Sequence, residues 1–210
     1  MKFMKLLLIT SLSLSSLAVL AKPISEDLNP KLPQTVVKSE QTYHRCSQVR
    51  ITKALFFKIV DVALYLEDCR NFQGIFSQRA KVLRFSYLRK VTGEQFSEGA
   101  NEYLQKNLST EQYERCIPHY SKLNNAYQDV KKGDTYELLM APDKTTVTLN
   151  KIPIGLITDD SCGELYLNVW FGKESMDSGF QELLEKAHKK ASEKPKDYAN
   201  TLNASLRASG

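Results

Sequence analysis

The 210-residue sequence has little histidine, three in all, and they are scattered as His44, His119 and His188. That argues against a histidine-rich metal site, and no cofactor is expected. There is no apolar run long enough to build several membrane spans, which excludes a channel or transporter. G-x-S-x-G, H-E-x-x-H, the P-loop and G-x-G-x-x-G are all missing, so the common hydrolase, metalloprotease and nucleotide-binding signatures are absent. No C-x-x-C occurs, which removes a thioredoxin-type site and a zinc knuckle. The basic residues do not gather into arginine-rich runs, so no nucleic-acid surface is expected. No internal repeat is visible.

What remains is a globular composition, 42% hydrophobic, 10% aromatic and 25% charged, of a length that suits one domain. Its start reads as a leader. Met1 to Lys5 holds two lysines, Leu6 to Leu20 is mostly apolar, and Val19-Leu20-Ala21 offers a signal-peptidase site. This three-part plan predicts a secretory signal peptide over residues 1–21, and hence a periplasmic or secreted protein with no integral span after cleavage. The first cysteine is Cys46, so a lipoprotein anchor is not expected. Removal of Lys2 and Lys5 lowers the formal net charge from +5 to +3. Pro23, Pro30 and Pro33 mark residues 22–42 as a leading arm. Residues 188–210, with Lys189, Lys190, Lys194 and Lys196, read as a solvated tail. Residues 43–187 are the predicted domain.

Export gives the four cysteines, Cys46, Cys69, Cys116 and Cys162, a structural meaning. An even count predicts one or two disulfides, with buried free thiols as the alternative. Three connectivities are open. Cys46 and Cys69 flank a predicted hairpin and are the favoured pair.

Periodicity predicts strands over 57–66, 82–88, 134–141 and 145–150. In the second, Leu83, Phe85 and Tyr87 face one way and Arg84 and Ser86 the other. Val49 and Ile51 lead into the first. Asp61 stands alone in that apolar strand and is expected to face solvent, a buried acid being the alternative. Thr92 is positioned to cap a helix carrying Phe96, Ala100, Tyr103 and Leu104. Ser109 or Thr110 caps a second, which Pro118 breaks or restarts, with Leu123, Tyr127 and Val130 continuing a helical face. Asp159 and Asp160 read as helix caps rather than paired catalytic acids. They precede a helix through Leu165, Val169 and Trp170 that ends at Gly172. Asp177 or Ser178 caps the last helix. The order predicts an α+β fold, an antiparallel sheet covered on one face by helices.

Five blocks then carry a family resemblance. Phe57 to Glu67 (FKIVDVALYLE) resembles a signature strand of the chalcone isomerase-like superfamily. The strand at Leu83-Arg84-Phe85, the helix from Glu94 to Asn107, the Gly133-Asp134 turn with its hairpin, and Leu165 to Gly172 (LYLNVWFG) follow in the family's order. The last resembles a helix of bacterial exported members. The resemblance covers residues 43–187 and implies an open-faced β-sandwich with a ligand cleft between sheet and helices. Plant enzymes of the family cyclise chalcones, using polar residues whose positions here fall on Val60, Phe96, the neighbourhood of Tyr103, and Val169 beside Trp170. The family arginine falls near Gln48, with Arg50 as a substitute. Val for Thr and Phe for Tyr keep shape and remove a hydroxyl, and one lost oxyanion donor costs roughly 10²–10³ in rate.

The resemblance therefore implies a non-catalytic relative that binds a fatty acid or other small hydrophobic ligand. Its carboxylate would sit on Arg50 and its chain on Val60, Phe96, Tyr103, Val169 and Trp170. The alternatives are an interaction module with a packed core and no ligand, and an isomerase.

Overall fold

Strand alternation and helix capping account for most of the architecture. The computed structural model describes residues 32–54, 57–77 and 80–193. The predicted signal peptide and most of the predicted tail lie outside the described residues. The chain runs β1 (Thr35–Lys38), β2 (Gln41–Lys53), β3 (Phe57–Leu66), β4 (Lys81–Tyr87), α1 (Gly93–Asn107), α2 (Thr110–Asn124), β5 (Thr135–Ala141), β6 (Lys144–Leu149), β7 (Ile152–Ile157), α3 (Asp160–Tyr166), α4 (Asn168–Phe171) and α5 (Gly179–Ser192). The strands form one seven-stranded antiparallel sheet in sequence order. This is the predicted α+β class. The four strands expected from periodicity lie within a residue of their observed limits.

Three strands are additions. Residues 35–42, expected as part of an arm, form β1 and the start of β2. Their alternation is masked because polar side chains stand on both faces of β2, with Arg45, Gln48 and Arg50 on the outer face and His44 on the opposite one. β7 carries Pro153 and an exposed Ile152, which suits an edge strand and hides the pattern. Two turns are two-residue loops with both residues at positive φ: Ser39 and Glu40 between β1 and β2, Asn150 and Lys151 between β6 and β7. That geometry matches the right-handed twist of the flanking strands.

The sheet has two unlike faces. On the inner one Val60, Val62 and Leu64 of β3, with Leu83 and Phe85 of β4, join Leu104, Tyr120 and Leu183 of the helices in the main core. On the outer one the sheet curls, and Leu32, Val36 and Tyr43 close over Ala63, Tyr65 and Val82. Curling also brings Lys38 of β1 to Glu137 of β5, strands that stand four places apart in the sheet. Only a strongly coiled sheet makes that pair possible.

α1, α2 and α3 start where the capping residues predict. Thr92 and Ser109 each form a full capping box, with Gln95 and Gln112 reaching back to the cap N–H. Asp159 caps α3 through Cys162 N. Pro118 does not break α2, which runs through it to Asn124. The missing N–H costs one hydrogen bond, and burial of Cys116, Tyr120 and Leu123 offsets it. Beyond Asn124 the helical face does not continue. Val130 instead pairs with Val91 in an isolated bridge. Cys46–Cys69 ties β2 to the short turn after β3, the favoured pair, and Cys116–Cys162 ties α2 to α3.

Candidate functional site

A cleft of about 500 Å³ opens between the inner sheet face and the helices. Its floor follows from strand parity. Val60, Phe85, Tyr87, Tyr136 and Leu138 are inward residues of β3, β4 and β5. Its roof comes from α1, through Phe96, Gly99, Ala100 and Tyr103, and from Val169 and Trp170 of α4 with Phe180 of α5. Gly93 lets α1 begin close to the segment that follows α2, because a Cβ there would stand 2.5 Å from the carbonyl oxygen of Tyr127.

The walls are aromatic, held by edge-to-face and tilted ring contacts. Phe96 meets Tyr136 at 5.2 Å, Tyr87 at 5.4 Å and Tyr127 at 5.5 Å between ring centroids. Trp170 packs on Phe85 at 5.3 Å. Such contacts add order to the wall beyond simple burial.

The hydroxyls of these tyrosines are largely consumed by the protein. Tyr127 and Tyr166 hydroxyls lie 3.0 Å apart, Tyr166 donates to Asn124 Oδ1 at 2.8 Å, and Asn124 donates to Asn101 Oδ1 at 2.7 Å. The Tyr136 hydroxyl donates to Gln128 O and accepts from Gln128 N. Burial pushes the Tyr87, Tyr127 and Tyr166 phenols upward, with the neighbouring tyrosines adding to the shift for Tyr87 and Tyr166. They stay neutral near pH 7 and supply no phenolate base.

Among the described residues, charge on the cleft lining gathers at the mouth, where Lys53, Arg89, Lys90 and Asp177 line the opening. Lys53 bonds to Met176 O and Asp177, and Lys90 pairs with Asp129 at 3.1 Å. Arg89 has no carboxylate partner among the described residues. Its guanidinium stands 5.1 Å over the ring of Phe57. The mouth therefore presents a cation beside an apolar chamber, which suits an anion with a hydrocarbon body.

Five of the six expected ligand residues meet here: Val60, Phe96, Tyr103, Val169 and Trp170 all line the cleft. Arg50 does not. It lies on the outer face, where its guanidinium donates to both Asp61 oxygens, Nε to Oδ1 at 2.5 Å and Nη2 to Oδ2 at 2.8 Å. The reason is the strand period, for Val49 and Ile51 point inward and the residue between them must point out. Asp61, expected in solvent, is buried by the curl, and its side chain, 6% exposed, is held by that bidentate partner. The cation the sequence reading missed is Arg89. Leu83, Phe85 and Tyr87 already marked the inward parity, and Arg89 is the next position in that series.

Ligand atoms of His119, Asp159 and Cys162 lie within 4.8 Å of one another. Cys162 is bonded to Cys116 and has no thiolate to offer, and Asp159 Oδ1 caps α3.

The family model for chalcone isomerase-like proteins matches residues 33–184. The chain belongs to the chalcone isomerase-like family. Among solved structures it is similar to the Arabidopsis thaliana fatty-acid binding protein AtFAP1, with a TM-score of 0.51 and 13% identity over 76% of this chain and 100% of that one. At that identity the likeness speaks for the fold. No curated protein sequence matches this chain. The chamber described above lies between sheet and helices, where the resemblance led a cleft to be expected.

Proposed function

We propose that this chalcone isomerase-like protein is a non-catalytic, exported carrier of a fatty acid or similar acyl anion. The carrying observation is the cleft itself, about 500 Å³ with aromatic and aliphatic walls and cations confined to its mouth. The volume falls in the usual range of small-molecule pockets. Arg89 takes the carboxylate that the sequence reading had given to Arg50, with Lys90 beside it, and the chain lies along Val60, Phe96, Val169 and Trp170. Tyr103 closes the roof. That a structural neighbour is a fatty-acid binding protein favours the same ligand class. Export is favoured by the leader-like N-terminus and by the disulfides Cys46–Cys69 and Cys116–Cys162. The positions that would hold isomerase hydroxyls carry Val60, Phe96 and Val169 on the cleft wall, which leaves developing oxyanion charge without those donors.

The test is fluorescence titration with dansyl-labelled undecanoate, displaced by oleate, on protein first stripped by solvent extraction. Saturable binding is expected. Gly99→Phe should abolish it while leaving the fold intact, since Gly99 lines the cleft and its nearest neighbour is the flexible Met176 side chain at 3.8 Å. Arg89→Ala should weaken binding about tenfold, the loss of one charge-assisted contact. A folded protein that binds no acyl probe would sink the reading.

A further inference from the structure

The meander puts alternate connections at opposite ends of the sheet, and the two ends differ in charge. One end receives the close of β2 and the start of β3, bringing Lys53 and Lys58. The segment after β4 adds Arg89 and Lys90, the approach to β5 adds Lys131 and Lys132, and the β6–β7 turn adds Lys151. All seven are exposed. The acids at this end are Asp129, Asp134, Asp177 and Glu94. Asp129 pairs with Lys90, Asp177 with Lys53, and Asp134 accepts from Lys131 N and Asn150. Glu94 lies in the first turn of α1. Cations remain in excess.

The other end carries Glu67, Asp68, Asp143, Asp159 and Asp160 around the strand ends. Arg70 and Lys144 there pair with Asp68 and Asp143, and α5 brings Lys189 and Lys190. Among the described residues the cationic surplus lies at the first end.

Two large apolar side chains are exposed at the same cationic end, Phe57 at 54% and Ile152 at 67%. They stand on β3 and β7, on either side of the intervening strands. The cleft mouth opens between these features, for Lys53, Arg89 and Lys90 belong to both. Exposed apolar side chains set among lysines are the composition of a peripheral membrane contact, with cations meeting anionic headgroups and the apolar tips entering the interface. A soluble partner offers no reason for the mouth of an apolar chamber to lie at the centre of such a patch.

We propose that this end of the sheet docks reversibly on an anionic phospholipid bilayer, so that the cleft opens toward the membrane surface. The docking stands on the charge distribution and the exposed Phe57 and Ile152. Its purpose, exchange of an acyl ligand with the bilayer, rests on the function proposed above.

Vesicle co-sedimentation separates the two. The full mature chain is mixed with vesicles of phosphatidylcholine alone or with about a third phosphatidylglycerol, at low and at high salt. Binding should favour the anionic vesicles at least about tenfold and fall as salt screens the contact. This salt titration on wild-type protein requires no substitution. The triple variant K58E/K132E/K151E lies outside the cleft, so it should lose vesicle binding and keep the solution titration with dansyl-labelled undecanoate. Phe57→Ser should lower the salt-resistant fraction. Equal binding to both vesicle types, no binding to either, or unchanged binding by the triple variant overturns the proposal. Tighter binding of single-stranded DNA than of anionic vesicles at matched salt overturns it in favour of a nucleic-acid surface. Vesicle binding without acyl binding leaves docking intact and sinks the carrier reading.

Discussion

The inner and outer faces of the sheet use alternate residues of the same strands, yet each solves burial differently. The inner face buries Val60, Val62, Phe85 and Leu138 under helices and leaves a chamber between. The outer face buries charge. Asp61 is held by Arg50, and Glu137 is held by Lys38 and Arg84. Shape decides the inner contents, because apolar contact is non-directional and tolerates a cavity. Partner geometry decides the outer ones, because a buried carboxylate needs donors in place. An arginine on the outer face is therefore structural, while the proposal gives the one at the mouth of the inner cleft to a ligand.

The largest expected break in this contrast lies in the helical layer. Cys116→Ser with Cys162→Ser opens a loop with a sequence separation of 46 residues. The chain-entropy cost is about 4 kcal/mol, read as a drop in denaturant-unfolding stability. The same change at Cys46 and Cys69, separation 23, should cost about 3.4 kcal/mol.

Alkaline pH probes the inner face next. Burial raises the Tyr87, Tyr127 and Tyr166 phenols above their unfolded value near 10. The folded state therefore favours the neutral form. Its stability contribution is full below about pH 10 and is lost as pH rises above it. The expected slope is about 1.4 kcal/mol per pH unit for each tyrosine that stays protonated, measured by urea unfolding between about pH 9 and 11. A flat profile would mean these phenols reach solvent.

Two arginines sharpen the contrast directly. Arg50→Ala strips Asp61 of its bidentate partner and should cost about 2 kcal/mol of stability, reduced from the fully buried case because Arg50 is 45% exposed. Its acyl affinity should not change. Arg89→Ala should do the reverse, weakening ligand and moving stability by less than about 0.5 kcal/mol. If both variants lower affinity equally, the two-face assignment fails.

The smallest effect is a gain. Gly99→Ala places a methyl group at ordinary contact distance from Met176 and removes a helix-interior glycine. Thermal unfolding should show about 0.5–1 kcal/mol of stabilisation. Its acyl affinity should stay near wild type, in contrast to the Phe substitution.

The fold was readable where periodicity was clean. β3 matched its prediction at both ends because it is largely apolar, with β-branched Ile59, Val60 and Val62 in its first half. Thr92, Ser109 and Asp159 announced their helices, because a cap acts through local backbone donors. β2 was obscured, since its outward residues serve a polar face that only the curl covers. The cleft walls were legible through the family resemblance, whereas Arg50 points away from the cleft because Val49 and Ile51 on either side of it point inward.

Sequence alone thus determined the strand parity, the helix starts and the apolar character of Val60, Phe96, Val169 and Trp170, because these depend on neighbours a few residues away. Tertiary structure decided the rest. The coil of the sheet buried Asp61 and brought Lys38 to Glu137, the packing of α2 on α3 completed the Cys116–Cys162 pairing, and the meander gathered distant lysines around the cleft mouth. Those outcomes depend on distances between strands and helices far apart in the chain, which no local pattern encodes.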